Sequence, residues 1–96
     1  VLVLALLQAL AAQPDTPEIR RVADGVYAVL QPQWLRFDEC NSVVIEAGEG
    51  ALVVDTFGLP SRMSRLLAEM PKFTAKPVRW VVNTHFHTDH VFGNAR

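Results

Sequence analysis

Short runs rich in β-branched residues alternate with turn-forming clusters along this chain, and one segment of helical period interrupts them. Ile19 to Ala23 and Val26 to Leu30 flank Asp24-Gly25, a dipeptide that tolerates the positive φ angles of a tight type I′ turn. The pair therefore predicts a β-hairpin. Asn41 to Ala47 and Ala51 to Asp55 flank Gly48-Glu49-Gly50 and predict a second hairpin. Ala51-Leu52-Val53-Val54 lacks polar alternation, the pattern of a strand buried on both faces. From Ser61 the apolar positions Met63, Leu66, Leu67 and Met70 fall at i, i+3, i+4 and i+7, which predicts a helix over 61–70. Ser61 is the expected N-cap, Pro71 the expected stop, and Arg62, Arg65 and Glu69 the wet face. Val78 to Asn83 is the next expected strand, and Gly93-Asn94 an expected turn, with Val91-Phe92 at the start of a further helix.

The order strand 51–55, helix 61–70, strand 78–83 is a βαβ unit. Such a unit makes its two strands parallel and usually adjacent, joined by a right-handed crossover. Asp55 ends the first strand and His85 follows the second, so both are expected at the same sheet edge. Open α/β sheets place their sites at that edge.

The flanking segments are less regular. Val1 to Ala12 (VLVLALLQALAA) is uncharged and too short for a bilayer span of about 20 residues, and it fits the apolar core of a secretory signal peptide. Ala9-Leu10-Ala11 supplies the small-residue cleavage pattern, so export to the periplasm or outside is expected. Residues 13–18 (QPDTPE) read as a flexible lead-in, and 19–96 as the folded part. Residues 31–39 are irregular, with Trp34 and Phe37 equally readable as core or as pocket lining.

Composition narrows the function classes. Half of the 96 residues are apolar and 20% are charged, an ordinary globular balance. A net charge of −1 gives no field for nucleic acid or an anionic membrane, so neither is an expected partner. No stable membrane association of the mature form is expected, and oligomeric state is not legible. Cys40 is the only cysteine, which excludes an intrachain disulfide and the multi-cysteine structural zinc sites. It reads as a small buried hydrophobe rather than a nucleophile, since no basic residue adjoins it.

The chemistry concentrates in Asn83-Thr84-His85-Phe86-His87-Thr88-Asp89-His90, which holds every histidine of the chain. Imidazole nitrogen and carboxylate oxygen suit zinc and related divalent ions. His85 and His87 are two apart, so in extended backbone they leave the same face and can converge on one ion. Asp89 and His90 are adjacent and better placed for a second ion. The bland alternative is a polar loop whose histidines meet solvent.

This stretch resembles the H-x-H-x-D-H signature of the metallo-β-lactamase superfamily. The resemblance implies an α/β fold, here the N-terminal half of an αββα sandwich. It implies His85 and His87 as ligands of one metal, Asp89 and His90 as ligands of the second, and Asp89 as the catalytic residue that orients the attacking water. The implied cofactor is zinc, two ions per complete domain, with iron or manganese as alternatives. Asp55, in a V-V-D-T pattern like the family's, is expected to hydrogen-bond a metal-binding histidine without touching the metal, the usual way such a ring is oriented. His87 stands where the flavodiiron branch carries Glu, which disfavours a diiron oxygen reductase.

A chain that begins at Val1 and ends six residues past His90 is expected to be a fragment, since the family draws another His, an Asp and a last His from downstream. Two ligands per metal fall short of the three usual at catalytic zinc. The expected function is thus a metallohydrolase acting on an ester, thioester, lactone or lactam-type bond of a small-molecule substrate, with these 96 residues alone inactive or nearly so. The alternative is a non-catalytic metal-binding protein that keeps only the histidine loop.

Overall fold

The computed structural model describes residues 16–32 and 39–96. The signal-peptide expectation, most of the lead-in, and Trp34 and Phe37 lie outside the described residues. Asp24-Gly25 joins β1 (Glu18–Ala23) to β2 (Val26–Leu30) in an antiparallel hairpin, as the pattern predicts. The turn itself differs from the expectation. Only Gly25 has positive φ (67°), whereas a type I′ turn needs it at both central residues. The register shifts between Arg21 and Ala23, next to the turn, and such an irregularity increases local twist.

β3 (Ser42–Ala47) and β4 (Gly50–Val54) form the second hairpin, and Gly50 belongs to the strand rather than to the turn. β5 (Val78–Val82) pairs parallel to β4, completing a five-stranded sheet in the order β1-β2-β3-β4-β5. The crossover from β4 to β5 carries helix α1 (Pro60–Glu69) and a 3-10 turn over Met70–Lys72. The predicted βαβ unit is therefore present.

α1 starts one residue earlier than expected. Pro60 occupies its first turn, where the ring's fixed φ suits a helix and its missing N–H costs nothing. Leu59 stands at the cap position with no side-chain bond, so Ser61 is not the N-cap. Met70 keeps helical geometry before Pro71, and the chain tightens into the 3-10 turn instead of breaking off.

The core lies between α1 and one sheet face. Val29, Val44, Ala51, Val53, Phe57, Met63, Leu66 and Met70 form it, with Ile19, Tyr27 and Leu67 packed at its margin. Met63, Leu66 and Met70 thus bury the stripe that the helical period predicts. Arg62 departs from the expected wet face and is buried. Its charge acts on the buried carboxylate of Glu39. The register puts Val43, Ile45, Leu52, Val54, Trp80 and Val82 on the opposite face. Leu52 and Val54 are only half-buried there, and Trp80 and Val82 stay 49% and 47% exposed. β4 is therefore buried on one face, not two.

Candidate metal centre

The β4–β5 ladder runs one residue past its strands, where the Asp55 N–H donates to the Val82 carbonyl at 2.8 Å. That bond sets Asp55 beside the start of the histidine loop. The backbone then leaves the strand sharply, since Asp55 (φ 64°) and Phe57 (φ 71°) both adopt left-handed geometry. Asp accepts that region readily, whereas a bulky Phe there is an outlier held by its surroundings. Here the surroundings are specific. The Phe57 ring is fully buried, its carbonyl accepts from Phe92 N–H at 3.1 Å, and the Gly58 N–H donates to Glu39 Oε2 at 2.9 Å.

Helix α2 (Thr88–Val91) begins directly after His87, earlier than Val91-Phe92, and so takes Asp89 and His90 into its single turn. It is pinned at His90. The His90 carbonyl accepts from Thr56 N–H at 2.9 Å and from Asn83 Nδ2 at 2.7 Å. Asn94 Nδ2 donates to Asn83 Oδ1 at 2.7 Å, and the Thr56 hydroxyl donates to Asn94 Oδ1 at 2.6 Å. Gly93 lies in the turn expected there, with Asn94 N–H donating to the Val91 carbonyl at 3.2 Å, and it is also needed for close approach. A Cβ at that position would lie 2.1 Å from the Thr56 carbonyl oxygen and 2.8 Å from Met63 Cβ.

The buried Asp55 carboxylate organises the loop. Oδ1 accepts from Thr84 N–H at 2.8 Å, while Oδ2 accepts from the Thr84 hydroxyl at 2.8 Å and pairs with His90 Nδ1 at 2.8 Å. The Thr84 hydroxyl has one proton. Having given it to Asp55, it accepts from His85 Nδ1, 2.9 Å away. As neutral imidazoles both rings therefore carry their proton on Nδ1 and present Nε2 as a lone pair, the form in which imidazole binds a metal.

The three imidazoles gather. The His85 ring centroid lies 4.0 Å from that of His90 and 4.8 Å from that of His87. His90 Nε2 sits 3.3 Å from Asp89 Oδ2. With the His90 proton on Nδ1, these two atoms are both acceptors, and either a second proton or a metal ion satisfies the pair. The donor set and its tautomers thus fit a divalent ion. Phe86, between His85 and His87, is 83% exposed.

Sequence reasoning misses three members of this neighbourhood. Cys40, from the segment before β3, brings its sulfur into a group with Asp55 and His90 whose donor atoms all lie within 4.8 Å of one another. It is the one such group among the described residues, and it is not the His85-His87-Asp89-His90 set. Desolvation pushes the Cys40 thiol up to about 11, with an opposing bond from the Phe57 backbone and further upward pressure from Asp55, Asp89 and Glu39. That fits the expectation that Cys40 is no nucleophile. Thr84 is the second, legible only as a polar residue after an apolar strand. Glu39 is the third. Burial raises its pKa against the hydrogen bonds from Gly58 and Leu59, and its Oε1 is buried without a hydrogen-bond partner.

Burial also pushes the Asp55 carboxyl up, but bonds from Thr84 and His90 outweigh it and hold the group below its ordinary value. A lowered pKa means that the folded state binds fewer protons than the unfolded chain between the two values. The stabilisation is therefore complete above the unfolded value of about 3.9 and lost as pH falls through the folded one. Urea midpoints measured from roughly pH 5 down to pH 2 should fall more steeply for the native sequence than for Asp55→Asn. Parallel curves would show that Asp55 is not held by these bonds.

Residues 35–96 match the family model of the metallo-beta-lactamase superfamily, and the chain belongs to that superfamily. Among curated relatives, the linear primary-alkylsulfatase of a Pseudomonas species is 44% identical over 50 residues, covering 52% of this chain and 10% of that protein. The atrochrysone carboxyl ACP thioesterase of Passalora fulva is 28% identical over 88 residues, covering 90% of this chain and 26% of that one. Among solved structures, the metallo-beta-lactamase FIM-1 of Pseudomonas aeruginosa, crystallised in a mono-zinc form, is 25% identical with a TM-score of 0.71. The match covers 88% of this chain and 39% of that one. The α/β fold expected from the sequence is thus that of the metallo-beta-lactamases. The chain spans about a tenth and a quarter of the two curated relatives.

Proposed function

We propose that the whole protein is a zinc-dependent hydrolase in which His85 and His87 hold one ion and Asp89 and His90 hold a second. The observation that carries this reading is the coupling of Asp55 to His90 directly and to His85 through Thr84, which leaves both Nε2 atoms available. Bound divalent ions supply Lewis acidity and a water made acidic enough to attack near neutral pH.

The chain's own residues do the rest. Asp55 fixes the tautomer and direction of His90, and Thr84 relays that constraint to His85. Asp89 orients the attacking water. Further donors come from parts of the whole protein other than these 96 residues, so the isolated chain is expected to be inactive. Export is part of the same reading and rests on the apolar segment 1–12.

The bond cleaved is of ester, thioester, lactone or lactam type. The names of the curated relatives put sulfate esters and thioesters first among the substrates to assay. The complete protein should hydrolyse at least one of these classes, lose the activity on dialysis against a chelator, and recover it with zinc. Activity that survives complete removal of divalent metal would refute the reading.

A further inference from the structure

We infer that Cys40, Asp55 and His90 form a thiolate-bearing cation site of their own, suited to zinc or a softer ion such as cadmium, next to the histidine loop. Three separate elements deliver these residues. Cys40 comes from the segment before β3, Asp55 from the end of β4, and His90 from α2. Their donor atoms lie within 4.8 Å of one another. A tetrahedral ion with bonds of about 2.0–2.3 Å holds its donors roughly 3.5 Å apart, so the widest of these separations needs to close by up to about an ångström while Asp55 and His90, 2.8 Å apart, open slightly. One sulfur, one imidazole nitrogen and one carboxylate oxygen, with the fourth position left to water, is an ordinary donor set for zinc. The sulfur favours thiophilic ions over magnesium or calcium.

The surroundings favour a cation as well. Glu39 and Asp89 both act electrostatically on Cys40, and Glu39 keeps Oε1 buried and unpartnered. Binding breaks the Cys40 S–H bond, forms a sulfur–metal bond and releases that proton to solvent, while His90, to ligate through Nδ1, moves its own proton to Nε2, 3.3 Å from Asp89 Oδ2. His90 and Asp55 cannot serve this site and keep their present contact unchanged. On the proposed function, occupancy of this position therefore competes with the hydrolytic one, and a thiophilic ion in excess should inhibit the complete protein less when Cys40 is serine.

The test uses the complete protein with cobalt or cadmium as the only added ion, and with Cys40→Ser as the reference for any sulfur signal. Cobalt should give a sulfur-to-metal charge-transfer band in the near ultraviolet, and the band should persist in His85→Ala/His87→Ala. Asp55→Asn and His90→Gln should each weaken the cobalt affinity read from that band by about 10-fold or more, at least the loss seen when partners outside the metal's own ligands are removed. Circular dichroism establishes that each variant is folded. Should either unfold, cadmium protection of Cys40 from alkylation in the His85→Ala/His87→Ala protein is compared with protection of the same protein in denaturant, where the thiolate binds alone, and equal cadmium requirements in the two would overturn the inference. A band of unchanged affinity in folded Asp55→Asn and His90→Gln would overturn the inference, because the thiolate would be binding alone. Cobalt bound without any sulfur band would also overturn it while leaving the proposed function intact. Failure to bind cobalt at all would count against both.

Discussion

Replacing His87 with alanine in the complete protein is expected to abolish hydrolysis and release one of the two metal ions. On the proposed assignment, His87 is one of two residues from this chain that hold the first ion, and a catalytic zinc site with a donor missing falls below its usual complement. The side chain is exposed and no hydrogen bond ties it to the core, so the loss should come with little change in melting temperature. Asp55→Ala should be milder in activity, about 10–100-fold, because Asp55 acts through His90 and Thr84 rather than on the ion. The pairing of the two results is informative. A His87→Ala protein that keeps its metal content and turnover would remove His87 from the site. An Asp55→Ala protein as inactive as His87→Ala would make Asp55 a direct ligand.

The largest stability effect is expected at Gly93. A Cβ there meets a backbone oxygen at 2.1 Å, and the Thr56 backbone is fixed by its bond to the His90 carbonyl, so neither side can yield. Gly93→Ala should therefore cost at least about 3 kcal/mol, the upper end of ordinary overpacking. In a domain of this size that lowers the melting temperature by more than about 10 °C. Gly50→Ala is the control. Its closest neighbours are the side chains of Arg79 and Trp80, which are exposed and can move, so the cost should be clearly smaller. Equal melting temperatures for the two variants would mean that Thr56 and Gly93 are not packed as described.

These contrasts show what can be read from the chain without coordinates. The hairpins, the helical stripe and the βαβ order are local or short-range patterns, and they are legible because side-chain period follows backbone geometry directly. The same logic brought Asp55 and His85 to one sheet edge. The proximity of Cys40 to His90 depends on three elements meeting, and no spacing along the chain encodes it. The left-handed backbone at Phe57 is equally silent, because a buried Phe predicts a strand or helix and only the surrounding contacts impose the turn. The turn at Gly93 was legible, but its close approach to Thr56 was not, because the two residues meet only through the fold. Burial of Arg62 was missed because the helical stripe puts it on the polar side, and Glu39, on whose carboxylate its charge acts, is far away along the chain.

The most direct test of the central claim is the zinc content of the complete protein, determined by elemental analysis on the preparation used for the hydrolysis assay. The account predicts two zinc ions per chain in the active protein, with activity lost as zinc is removed. Full activity in a preparation without divalent metal would contradict it.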